Sequence, residues 1–333
     1  MGGPVAAILG CEGPRLSPAE RQFFAQAQPW GFILFARNMQ NPEQVKRLTD
    51  AMRETVGRDA PILIDQEGGR VQRMGPPHWR QWLPPLDQMA LAGPEAMALR
   101  YRLIAAELRA AGIDVNCAPC CDVANHDSHA FIKNRCYGTR AETVIEAATA
   151  VAEGLLQGGV VPVMKHVPGH GRAIVDSHFS LPRVGESLDV LRETDFAPFA
   201  HLAHLPMAMT AHVIYAALDQ DRPATTSPVV LRYIREALGF GGLLITDDIS
   251  MEALSGSLAE RTADALAAGC DLVLHCAGHL DEMEAVVDAA GALAPEAVLR
   301  GEAALAARRR PEPIDIAQTE AKLDALLNGE VHG

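Results

Sequence analysis

The stretch VVPVMKH (160–166) decides how the chain is read: five apolar residues in unbroken succession, then a lysine and a histidine. An apolar run without alternation suits a parallel strand covered on both faces. Seven further runs share its near-continuous apolar character: VAAILG (5–10), GFILFA (31–36), PILIDQ (61–66), DVNCAPCC (114–121), MAMTAH (207–212), LLITDD (243–248) and LVLHC (272–276). Between them lie helical patterns near 17–27, 41–57, 94–112, 141–158, 187–204, 228–238, 252–268 and 279–292. Ser17-Pro18, Asn41-Pro42 and Ser227-Pro228 each set an N-cap residue before a proline at the first helical position.

Eight strands alternating with eight helices is the count of a closed α/β barrel, the (β/α)8 TIM-type fold. A doubly wound open sheet gives a similar alternation with fewer strands, but no Gly-rich dinucleotide fingerprint follows the first strand. No Gly-, Ser- or Pro-rich linker divides residues 1–333, so one domain is expected, with an appended helix over about 312–329.

Composition bounds the partners. The 333 residues are 48% hydrophobic, enough for one large core, and carry a formal net charge of −13. That charge argues against nucleic-acid and membrane-surface partners. The opening MGGPVAAILGCEGP lacks the basic segment and apolar length of a signal peptide, and no run approaches a membrane span. Seven cysteines, an odd number without an export signal, point to a reducing cytoplasm. Cys117 and Cys120 have a metal-like spacing, but residues three apart on a strand face opposite sides. No metal or cofactor is expected.

A barrel of this kind builds its site at the C-terminal ends of its strands, and six of the eight candidates end there in ionisable residues. These are Asp65 with Glu67, Arg70 and Arg73 close behind, Asp122, Lys165-His166, His212, Asp247-Asp248 and His275. Alone, each such Asp can be a helix cap and each His a partner of a backbone carbonyl. Together around one mouth they cost several kcal/mol per unpaired charge, which a site explains and chance does not. The segment after Lys165 runs to Pro182 before the next helix, far longer than an ordinary βα connection. It carries Asp176 and His178 two apart, a pairing that lets a carboxylate orient an imidazole for acid/base work. Gly169 and Gly171 give that segment hinge points. Asp247 or Asp248 can supply the carboxylate that a glycoside-cleaving enzyme sets on the other ring face. Strand alternation points the two in different directions without saying which faces the pocket.

The motifs IDQEGGRVQRM (64–74), NRCYG (134–138), KHVPGHGRAIVDSH (165–178), MTAHVIY (209–215) and ITDDISMEAL (245–254) resemble the β-N-acetylglucosaminidases of glycoside hydrolase family 3. PATTSPVVLRYIREALGFGG (223–242) and ALAAGCDLVLHCAG (265–278) carry the likeness through the rest of the barrel. The resemblance implies Asp247 as nucleophile, His178 as acid/base and Asp176 as its partner. It implies sugar-binding roles for Asp65, Arg73, Arg135, Lys165 and His166, with Arg70 and His170 shaping the site. The implied reaction is retaining removal of terminal, non-reducing β-linked N-acetylglucosamine from muropeptides in cell-wall recycling. The chain departs from the family pattern at Gly10-Cys11, where an aspartate is common, at Val167, where phenylalanine is usual, and at Cys136-Tyr137.

Three other readings compete. A metal-dependent amidohydrolase barrel would use His166, His212, His275 and Asp247 as ligands, but strand one lacks the His-x-His such a site needs. A family 3 glycoside phosphorylase would put phosphate in place of water, since a histidine acid/base repels anions less than a carboxylate does. A non-catalytic sugar-binding barrel leaves Asp247 and the Asp176–His178 pair without a purpose.

Overall fold

The computed structural model describes residues 3–173 and 180–329. Its centre is a closed barrel of eight strands, each hydrogen-bonded to its neighbours in chain order. They are Val5–Leu9, Pro29–Leu34, Ile62–Ile64, Val115–Asn116, Val161–Val167, Met207–Thr210, Leu243–Asp248 and Leu272–His275, numbered one to eight below. All pairings in the barrel are parallel, and strand one closes the ring on strand eight through Ala7 opposite Val273.

The unbroken apolar runs are explained by two cores on opposite faces of one wall. Ile8, Ile33, Leu63, Val115, Val163, Met209 and Ile245 pack inside the barrel. Their chain neighbours Ala7, Leu9, Leu34, Ile62, Ile64, Met164, Ala208 and Leu244 pack outward against the helices. Each fully buried aliphatic side chain of this kind contributes about 1.5–3 kcal/mol before the entropy cost of ordering.

The expected caps are in place: Ser17 accepts from Glu20 N at 3.2 Å, Asn41 from Gln44 N at 2.9 Å and Ser227 from Val230 N at 3.2 Å. Several boundaries differ from the sequence pattern. Strand four keeps a regular ladder only over Val115–Asn116, because Pro119 has no N–H to give it, and an isolated bridge of Cys120 with Lys165 follows. The helix expected from 94 begins earlier, as Pro85–Ala110, and is broken at Gly93 (φ 67°) ahead of Pro94. The 187–204 pattern is two short helices, Leu188–Glu193 and Ala197–His201. The 252–268 pattern starts only at Leu258, capped by Ser257. Helix Pro295–Ala306 was not legible as a separate element. The appended helix is Ile316–Leu327, and the segment leading to it is held by Arg102, which donates to the carbonyls of Glu312 at 3.1 Å and Pro313 at 3.3 Å. None of the described helices is long and apolar enough to cross a membrane.

Helix Pro85–Ala110 matters for the site, because its Arg100 and Tyr101 both donate to the carbonyl oxygen of Glu67. It packs on helix Ala141–Gln157 at Gly154, where an added Cβ would lie 2.8 Å from the carbonyl oxygen of Ala98 and 3.2 Å from the Cβ of Tyr101. In an open helix Gly→Ala gains about 1 kcal/mol. Here the sign reverses. Gly154→Ala is expected to lower the melting temperature by a few degrees, for an overpacking cost of about 1–3 kcal/mol, and calorimetry checks it.

Candidate active site

Strand ends bring the expected residues together around a cavity of about 230 Å³ at the C-terminal mouth of the barrel. Asp65, Arg70, Arg73, Arg135, Lys165, His166, His170, Asp247 and Asp248 all border it. Asp176 and His178 lie outside the described residues.

One wall is a chain of buried ion pairs. Asp65, just past strand three, accepts from Lys165 Nζ at 2.7 Å and from Arg73 Nη2 at 3.1 Å. Two residues further, Glu67 accepts from Lys165 Nζ at 2.6 Å and from Arg135 through Nε at 3.0 Å and Nη2 at 2.8 Å. Arg135 comes from the connection after strand four and lies with its guanidinium carbon 5.0 Å from the ring centre of Phe131. Burial alone would raise both carboxyls, but Arg135 and Lys165 draw Glu67 down to about 2, and Lys165, Arg73 and Arg135 hold Asp65 lower still. Burial would likewise weaken the Lys165 ammonium; Asp65 and Glu67 instead keep it protonated well above the ordinary range.

The second wall is an aspartate–histidine pair. Asp122 is fully buried and receives four hydrogen bonds: His166 Nδ1 at 2.7 Å, His166 N at 3.3 Å, His170 N at 2.6 Å and Cys120 Sγ at 3.3 Å. With Nδ1 spent on Asp122, His166 turns Nε2 toward Arg135 Nη2 at 3.3 Å and Asp247 Oδ2 at 3.9 Å. Burial pushes the neighbouring His170 imidazole down to about 4, so it is neutral near pH 7. Cys120, Asp122 and His166 bring a sulfur, a carboxylate oxygen and a ring nitrogen within 4.8 Å of one another, the one such grouping among the described residues that could hold a metal. The four donors already on Asp122 satisfy it as a hydrogen-bond network.

Asp247 and Asp248 both border the cavity, although strict alternation would send one of them away. A register shift against strand eight between Ile245 and Asp248 breaks the alternation. Their environments separate them. Asp248 Oδ1 is tied to Ser250 N at 3.1 Å and Cys276 N at 3.3 Å, bracing the turn after strand seven. Asp247 accepts one backbone hydrogen bond, from Asp248 N at 2.8 Å into Oδ1, and leaves Oδ2 toward His166. Burial opposes ionisation of Asp247, but His166, His212, the Asp248 N–H and Lys165 together hold its carboxyl below the ordinary value.

The amidohydrolase set does not assemble. His212 spends its nitrogens on Thr225 Oγ1 at 2.7 Å and the Asp248 carbonyl at 3.0 Å, while His275 pairs with Glu282 at 3.0 Å. Neither converges with His166 and Asp247 on a common point among the described residues. Glu67 stands among the ionisable strand ends in the sequence, but its role as the link between Lys165 and Arg135 emerges only in the structure. Its spacing is the sequence signal: two residues after Asp65 in an extended segment is the same face.

The chain matches the glycosyl hydrolase family 3 N-terminal domain over residues 7–303. It is 39% identical over 292 residues to a β-hexosaminidase of Alkalilimnicola ehrlichii, covering 84% of this chain and 82% of that protein. Among solved structures it superposes with TM-score 0.84 and 30% identity on NagZ of Neisseria gonorrhoeae in complex with N-trifluoroacetyl-D-glucosamine, covering 98% and 97% of the two chains. It superposes equally, at TM-score 0.84 and 30% identity, on a family 3 β-N-acetylglucosaminidase from a Paenibacillus strain. There it covers 96% of its own length but 62% of that longer chain.

The carboxylates of the two walls tie stability to pH. Asp65, Glu67 and Asp122 hold their protons less tightly in the fold than in the unfolded chain, Glu67 at about 2 against 4.5. Acid therefore protonates the unfolded state first, and the stabilisation, complete above about pH 4.5, is lost as the pH falls toward about 2. Thermal melts across that window should fall continuously, and Glu67→Gln should flatten part of the slope. A melting temperature unchanged across the window would contradict this account.

Proposed function

This chain belongs to glycosyl hydrolase family 3, as a glycoside hydrolase of its β-N-acetylglucosaminidase kind, and we propose that it acts as a retaining exo-enzyme on muropeptides with Asp247 as nucleophile. The observation that carries the reading is the setting of Asp247: a carboxylate on the cavity wall with one oxygen engaged by a backbone N–H and the other directed to His166 Nε2 at 3.9 Å.

In the proposed double displacement, Asp247 attacks the anomeric carbon while His178, oriented by Asp176, protonates the departing oxygen. The glycosyl-enzyme ester is then opened by a water that His178 deprotonates. Asp65, Arg73, Arg135, Lys165 and His166 bind the N-acetylglucosamine, with Asp65 accepting from sugar hydroxyls and the cationic groups donating to hydroxyls and the N-acetyl oxygen. A cavity of about 230 Å³ lined by the Asp65–Arg73 pair has room for one terminal sugar. The N-trifluoroacetyl-D-glucosamine held by the gonococcal relative supports the same sugar. The free state of all seven cysteines, six of them buried, agrees with a cytoplasmic site of action.

Asp247→Asn should retain the fold and lower turnover of an aryl β-N-acetylglucosaminide by on the order of 10⁴-fold or more. A slow 2-fluoro glycoside should become esterified at Asp247. Peptide mapping of the label to Asp248, or near-normal turnover of the asparagine variant, would overturn the assignment.

A further inference from the structure

Behind the cation wall lies a second buried charge that the proposed mechanism does not use. Arg100, on helix Pro85–Ala110, is fully buried and is among the largest side chains to be so. Nη1 donates to Gln88 Oε1 at 2.7 Å, Nη2 donates to the carbonyl oxygen of Glu67, and Nε has no hydrogen-bond partner among the described residues. No carboxylate among the described residues is hydrogen-bonded to it; Trp82 and Tyr101 offer ring centres at 5.5 Å and 5.7 Å from its guanidinium carbon. A cation buried without an ion pair is expensive, and an apolar side chain of similar volume would pack here at less cost.

What Arg100 holds is the segment that carries Glu67. The Glu67 carbonyl takes a second hydrogen bond, from Tyr101 Oη at 3.2 Å, on the next residue of the same helix. Gly68 has φ 109°, and a Cβ there would lie 1.7 Å from Arg100 Nη2, so the guanidinium occupies space that only glycine leaves open. The carboxylate of Glu67 in turn makes the three short contacts to Arg135 and Lys165.

We infer that Arg100 is a positioning residue of the sugar site: it fixes the Glu67 backbone, and Glu67 fixes the two cations that meet the substrate. The inference rests on the proposed sugar-binding role of Arg135 and Lys165. Because those groups bind the sugar in the ground state and the transition state alike, loosening them weakens binding more than it slows the chemistry at Asp247.

The test is steady-state kinetics on an aryl β-N-acetylglucosaminide with Arg100→Met, Arg100→Lys, Tyr101→Phe and Arg135→Met, beside melting curves. Arg100→Met should raise KM about tenfold with kcat within about threefold, Arg100→Lys should recover part of it, and Tyr101→Phe should raise KM about twofold. A folded Arg100→Met enzyme with wild-type KM overturns the inference, as does a loss confined to melting temperature. If Arg100→Met does not fold, wild-type KM in both Arg100→Lys and Tyr101→Phe overturns it equally. Arg135→Met separates the two readings: a raised KM there with an unchanged KM at Arg100 removes only the role of Arg100, and an unchanged KM at Arg135 removes the sugar-site assignment beneath it.

Discussion

The site depends on one constraint, the pairing of charges that the barrel mouth takes out of water. Lys165, Glu67 and Arg135 are each almost wholly buried, and no one of them is tolerable alone. An isolated ion in such surroundings costs several kcal/mol, recovered only through close contacts with a counter-ion and filled hydrogen-bond positions. Lys165 bridges two carboxylates, Glu67 bridges two cations, and Arg135 reaches on to His166. The wall is therefore a connected network whose members are positioned by one another, and a network of this kind is rigid where single surface pairs are not.

Barrel geometry supplies the network only where the strands depart from regularity. A strict strand offers the mouth one side chain in two, yet Lys165 and His166 are consecutive and both border the cavity, as do Asp247 and Asp248. In each case the register slips against a neighbouring strand, between Lys165 and Val167 of strand five against strand six and between Ile245 and Asp248 of strand seven against strand eight. Such bulges raise the density of functional groups at the mouth without lengthening the strands. They also give the two members of each pair different partners, which is why Asp248 braces a turn while Asp247 keeps an oxygen toward the cavity.

Most of this architecture was legible in the chain, for physical reasons that also mark where legibility stopped. The eight unbroken apolar runs revealed a wall covered on both faces, and Ser-Pro and Asn-Pro pairs marked helix starts that the structure keeps. Strand four read too long because its apolar run continues through Pro119, which cannot join the ladder. Helix 94–112 read too short because Pro94 looks like a first-turn residue, whereas the chain makes a helical turn on either side of Gly93. Within the site, single ionisable strand ends were visible and their connections were not. The reach of Arg135 to Glu67, 68 residues away in the chain, is a tertiary contact with no local signature. Glu67 was visible as an ionisable strand end, but its two partners come from strand five and the connection after strand four, so its role had no local signature.

Pairing also explains how so cationic a wall can face a reaction whose transition state is itself cationic. Glycoside cleavage builds positive charge on the ring, which bare lysine and arginine would oppose. Here Arg73 and Lys165 are backed by Asp65, Lys165 and Arg135 by Glu67, and His166 by Asp122. Each donor keeps its hydrogen-bonding capacity toward the cavity while its charge is offset from behind. Asp247 differs from these paired groups: no arginine or lysine is bonded to it among the described residues, and its Oδ2 lies 3.9 Å from the His166 ring nitrogen. Its negative charge is thus not cancelled by a bonded cation, which suits a positive centre developing beside it. Removing Glu67 would not only slacken Arg135 and Lys165; it would leave their charge facing the cavity, and the wall would then oppose the step it is built to assist.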